Sequence, residues 1–154
     1  MMTYDEKIAW LRRYLDSLRL ERELELEVDQ METLATRVTP RLSGMPGGGA
    51  DGQSLPRAVE GIIRAKQELE AQINVCRAIR AEVVAALEQI TNPRDHEILR
   101  RRYILGQKWE QIAVEMYYSY KQVRRRHCTC VESLSLPDES VNPSGDKDVL
   151  QCPI

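Results

Sequence analysis

The sequence predicts an all-α chain: a long antiparallel helical hairpin followed by a compact three-helix unit. Three observations carry this expectation. Apolar residues recur at three- and four-residue steps through residues 3–37 and again through 55–91. Between them lies TPRLSGMPGGGADGQS, where two prolines and five glycines cannot sustain a helix. Beyond them, residues 92–130 carry helix start and stop signals at short intervals.

The first helix opens at Thr3, with Glu6 completing a capping box. Ile8, Leu11, Leu15 and Leu18 form one stripe; Leu24, Val28, Met31, Ala35 and Val38 form a second, slipped in phase. A straight helix drifts against a seven-residue repeat, so the slip is expected over this length. The segment 39–54 reads as a flexible connector. No strand precedes its glycines and no GxxxxGK[ST] occurs, so it is not a nucleotide loop.

The second helix has a regular heptad. Ile62, Leu69, Cys76, Val83 and Ile90 form one set, and Val59, Lys66, Ile73, Arg80 and Leu87 the other. Lys66 and Arg80 would then face the seam, where a cation needs a carboxylate or a route to water. The acidic first helix can supply carboxylates. A helix pair buries two stripes and little else, so residues 1–91 are expected to self-associate as a coiled-coil oligomerisation region.

A third helix starts at Asn92-Pro93, Asn as N-cap and Pro at the first helical position. It carries Ile98, Leu99 and Tyr103 to a break at Gly106. A fourth, from Lys108, sets Trp109, Ile112, Ala113 and Met116 on one face. Ser119 caps a fifth, with Val123 and Cys130 inward and Tyr120, Lys121, Gln122, Arg124 and Arg125 outward. Residues 92–134 form this unit, and 135–154 read as a polar, disordered tail.

The net charge of −2 names no partner, but its distribution does. Residues 1–36 hold five Lys/Arg against nine Asp/Glu, whereas 94–127 hold nine against four. A basic end joined to an acidic end suggests a polyanion at the former. The N-terminal turns of a recognition helix meet base edges in the major groove. There Arg reads guanine and Gln reads adenine bidentately. Flanking Lys and Arg neutralise phosphates. Ser119, Tyr120, Lys121, Gln122, Arg124, Arg125, Arg126 and Lys108 are the candidate DNA-contacting residues.

No nucleophile or metal motif surrounds His96 or His127, so no enzyme, metal or cofactor is expected. His127-Cys128-x-Cys130 is too tight and too short of ligands for a closed zinc site. There is no Phe, no membrane-length apolar run and no secretory signal pattern. A cytoplasmic protein with free thiols is expected.

Residues 92–131 resemble region 4 of sigma-70-family factors, through NPRDHEILRRRYILGQKWEQIAVEMYYSYKQVRRRH. The layout over 3–134, with SGMPGGG in the loop, is similar to small sigma-like proteins of phages and prophages in Firmicutes. That resemblance implies a helix-turn-helix related to phage late-gene transcription regulators, binding duplex DNA and contacting host RNA polymerase. Other sigma regions are missing, so a complete sigma factor is not expected. A small terminase subunit and a coiled-coil interaction adaptor are the alternatives. One departure concerns the turn before Ser119: such proteins commonly carry Gly where Tyr117 stands. A positive φ there would strain a tyrosine.

Overall fold

The computed structural model describes residues 1–38 and 54–137. Among them there are five helices and no strand: α1 (Tyr4–Val38), α2 (Ser54–Leu87), α3 (Pro93–Tyr103), α4 (Trp109–Glu115) and α5 (Tyr120–Ser133). The connector expected at 39–54 lies outside the described residues apart from Ser54, which begins α2, and so does the tail from 138 onward.

The start of α1 follows from its local chemistry. The Glu6 amide donates to Thr3 Oγ1 at 3.3 Å, and the Thr3 amide donates to Glu6 Oε2 at 2.6 Å. The two bonds satisfy amides that the first helical turn would otherwise leave unpaired. They also hold the Glu6 carboxyl below its ordinary range.

The chain divides into two compact units, one of Met1–Asp16 with Ala78 onward, the other of Ser17–Arg77. In the second unit, α1 and α2 meet through side chains. Ser17 meets Gln72, whose Nε2 donates to its carbonyl at 3.0 Å and its Oγ at 2.9 Å. Further along α1, Glu32 pairs with Lys66 at 2.5 Å, so the acidic helix does supply the carboxylate. A Cβ added at Gly61 would lie 3.1 Å from Met31 Cε, a tight contact that the flexible methionine end can relieve by shifting a few tenths of an ångström.

The seam on α2 is only half the one expected. Cys76 and Val83 are buried and Ile62, Leu69 and Ile90 half-buried, as their register requires. The second stripe is mixed: of the expected set Leu87 is buried and Ile73 half-buried, while Ala65, Gln72, Ile79 and Ala86, three residues onward from the first set, also turn inward. Lys66 and Arg80 are consequently exposed at the edge. An α-helix advances 3.6 residues per turn, so both spacings fit the pattern. Burying an amide and small residues avoids desolvating two cations.

The core of the first unit gathers Trp10 and Leu11 of α1, Val83 and Leu87 of α2, and the inward faces of α3, α4 and α5. Gly106 ends the α3 segment at φ 68°, a conformation glycine enters without penalty. Beyond α5 the chain stays docked. Leu134 is buried, Leu136 packs on the core, and Ser135 exchanges two hydrogen bonds with the Gln89 side chain, at 3.0 and 3.2 Å.

Candidate nucleic-acid interface

The helices α3, α4 and α5 pack pairwise on one another. The starts of α3 and α5 are chemically defined, whereas Lys108 makes no side-chain cap for α4. Asn92 Oδ1 accepts from the Arg94 amide at 3.0 Å, with Pro93 opening α3. Ser119 and Gln122 form a reciprocal box at the start of α5: the Gln122 amide donates to Ser119 Oγ at 3.2 Å, and the Ser119 amide to Gln122 Oε1 at 3.0 Å. Between α4 and α5 the chain turns through Tyr117 at φ 58°, while the Tyr118 amide donates to the Ala113 carbonyl at 2.9 Å. The strained geometry foreseen for Tyr117 is present, and its side chain is 96 % exposed.

The eight candidate DNA-contacting residues separate into two groups. Ser119, Tyr120, Lys121, Gln122, Arg125 and Lys108 are exposed. Of these, Ser119 and Gln122 already use their side-chain oxygens to cap α5. The other two differ. Arg126 is half-buried, ion-paired with Asp95 of α3 and set over the Tyr118 ring at 5.5 Å. Arg124, expected to point outward, is only 4 % exposed. The buried residues Val123, Arg124, His127, Cys128 and Val131 share the inward face of α5. They fall at steps of one, three and four, one helical face. That spacing was the available signal that Arg124 is internal.

Around Arg124 lies a cluster that sequence reasoning missed. His127, 1 % exposed, sits between two tyrosines: Tyr103 Oη is 2.7 Å from Nε2 and Tyr4 Oη is 3.4 Å from Nδ1. Trp109 meets the imidazole edge-on, 4.6 Å between centroids. Burial, reinforced by Arg124, Arg102 and Arg12, pushes the His127 pKa down to about 3, so the ring is neutral at pH 7. The same burial raises the Tyr103 hydroxyl well above its ordinary value. A neutral imidazole has one donor and one acceptor nitrogen, so it can bridge two phenols. Tyr4 lies far from His127 in sequence, which hides the arrangement from local pattern.

Other cations of the basic stretch are also committed. Arg101 pairs with Glu97 at 2.7 Å and with Glu115. Arg94 donates to Tyr118 Oη at 3.0 Å. Arg102 is half-buried over Trp109.

Of the cysteines, Cys76 and Cys130 are free and buried. Burial raises the Cys130 thiol to about 11, an unreactive thiol. No group of three or more metal-ligating side chains occurs among the described residues. Among the same residues, no helix is long and apolar enough to cross a membrane.

Compared with protein families, curated proteins and solved structures, the chain matches none.

Proposed function

We propose that this chain is a sequence-specific duplex-DNA-binding transcriptional regulator of phage or prophage type. In this reading α1 and α2 form a helical hairpin that assembles the protein. Helices α3 to α5 act as a sigma region 4-like helix-turn-helix, with α5 as the recognition helix. The protein binds rather than catalyses, acts in the cytoplasm and meets host RNA polymerase at the promoter.

One observation carries the reading. The exposed side of α5 presents Tyr120, Lys121, Gln122 and Arg125 within its first two turns, while its other side is fixed in the core. Exposed Lys108, at the start of α4, adds a flanking cation. A rigid helix with free cations at its N-terminal end suits the major groove. With Arg124 internal and Arg126 paired, Lys121 and Arg125 take the leading roles: Arg125 toward a base edge or phosphate, Lys121 toward phosphate.

Self-association has its own support. Leu20, Leu26, Leu34, Leu55, Val59, Ile63 and Val75 are large apolar side chains left exposed along α1 and α2. Met31, Leu34, Leu55 and Ala58 also line an open apolar groove of about 280 Å³. Single exposed apolar residues are ordinary, but seven within one helix pair favour a second copy.

Selection from random duplex DNA with purified protein, repeated at two salt concentrations, tests the proposal. Enrichment of one sequence motif is the expected result. Recovery of unselected sequences at low salt alone would reduce the activity to general polyanion affinity. A ring of many subunits that binds a genome-packaging site would move the reading to a small terminase subunit. No duplex binding at all would move it to an interaction adaptor.

A further inference from the structure

Two guanidinium groups share one tryptophan. Arg102 of α3 lies 4.6 Å and Arg124 of α5 lies 4.9 Å from the Trp109 ring centroid. A third, half-buried Arg12 of α1, is close enough to act electrostatically on Arg102 and His127. Like charges do not gather in a half-desolvated place without something that offsets their repulsion. Among the described residues no carboxylate does so, for none of the three arginines forms a salt bridge there. Glu110 acts on Arg102, but it is the weakest of the influences on it. Arg102 commits Nη1 to the Gln107 carbonyl at 3.0 Å. Arg124 is 4 % exposed and its Nη1 is buried with no hydrogen-bond partner. The neighbouring Trp109 Nε1 is likewise buried and unpartnered.

Buried N–H donors are almost always satisfied, and a charged one left unpaired is among the costliest. Stacking on Trp109 offsets part of that cost but satisfies no hydrogen bond. Arginine forks match the oxygens of tetrahedral oxyanions in bidentate fashion.

We propose that Arg102 and Arg124, both stacked on Trp109, form with the nearby Arg12 a binding site for a phosphate-type oxyanion. Nη1 of Arg124 is sealed from solvent, so binding there requires a local opening of the cluster. The anion's charge then neutralises the cluster and joins α1, α3 and α5 through one ligand. Two sources share this chemistry: a backbone phosphate of duplex nucleic acid, or free phosphate. The site stands whether or not the regulatory reading does.

The test titrates inorganic phosphate into the full chain at constant ionic strength, following the phosphorus NMR linewidth and the thermal midpoint. Saturable broadening and a rising midpoint are expected for the native chain. In Arg12→Gln and Arg102→Gln the apparent affinity should fall about tenfold, the loss of one charge-assisted bond. Arg124→Met should abolish saturation. Arg12 and Arg102 are half-buried, so their variants test the site independently of any repacking around buried Arg124. An unsaturable response, equal in native and variant chains, overturns the site. A short duplex is then added to the phosphate-saturated native chain. Sharpening of the phosphate line identifies the site with a backbone phosphate; unchanged broadening identifies it with free phosphate. Saturable phosphate binding with no duplex binding keeps the site and defeats the DNA reading. Duplex binding without saturable phosphate binding does the reverse.

Discussion

Arg124 of α5 stacks its guanidinium on Trp109 of α4, 4.9 Å from the ring centroid, and so locks together two helices through a cation rather than an aliphatic contact. The stack makes a specific prediction about stability. Arg124→Ala removes the alkyl stem and the cation–π contact, and should cost about 1–3 kcal/mol. Arg124→Met keeps the stem and removes an unsatisfied charge. It should match or exceed the native chain, because apolar replacement of poorly paired buried charge is often stabilising. Denaturant midpoints of the two variants check the pair. Equal losses in both would show that the charge itself holds the helices together.

Lys121 and Arg125 carry the expected contacts to DNA. Each alanine substitution should weaken duplex binding and lower the salt-dependence slope by about 0.9 for every phosphate it leaves unneutralised. Arg126→Ala should instead lower stability by removing the Asp95 pair and the Tyr118 stack, leaving the slope unchanged. Fluorescence anisotropy across a salt series separates the two behaviours. A slope that falls only for Arg126→Ala would reverse the assignment.

Tyr117 holds φ 58° with its side chain in solvent, so glycine there should relieve strain without sacrificing burial. Tyr117→Gly is expected to raise stability by about 1 kcal/mol. Chemical denaturation reads this directly. A fall in stability would mean that the phenol ring makes an interaction worth more than the strain.

How much of this was legible follows from the range of the interactions. The Thr3–Glu6 box, the Ser119 cap, the Asn92-Pro93 start and the Gly106 break each involve residues within a few positions, whereas Gln122, expected to face DNA, closes the Ser119 box. Their chemistry is written in adjacent letters. The inward set of α2 was legible as one stripe and only part of the second, because steps of three and four fit a helix equally. A charged side chain is expected to face water, yet Arg124 is buried. What holds it inside is Trp109, fifteen positions earlier. Tyr4 and His127 meet across the whole chain, and no local pattern announces that contact.

Exposed Leu34, Leu55 and Ile63 should be covered by a second copy. Sedimentation of the native chain at micromolar concentration should show an oligomer. Leu34→Glu and Ile63→Glu should shift it toward monomer while leaving helical circular dichroism intact, since neither residue is buried within its own chain. A native monomer under these conditions would remove self-association from the proposal.

The neutral imidazole of His127 ties stability to pH. Its pKa falls from 6.5 to about 3 on folding, so between those values the unfolded chain binds a proton that the folded chain does not. Stability from this group is therefore complete above pH 6.5 and is lost as pH falls toward 3. The slope should approach about 1.4 kcal/mol per pH unit inside that window. Glu6 and Glu115, both held below 4.5, lose their own contributions only further down. Their protonation does not account for a loss beginning near pH 6. Denaturation midpoints measured from pH 7 to pH 5 should fall steadily for the native chain. His127→Gln offers no proton acceptor of comparable strength, so it should start less stable and stay nearly level across that interval. A variant whose midpoint falls as steeply as the native one would place the titrating group elsewhere, and the Tyr103–His127–Tyr4 bridge would lose its part in acid sensitivity.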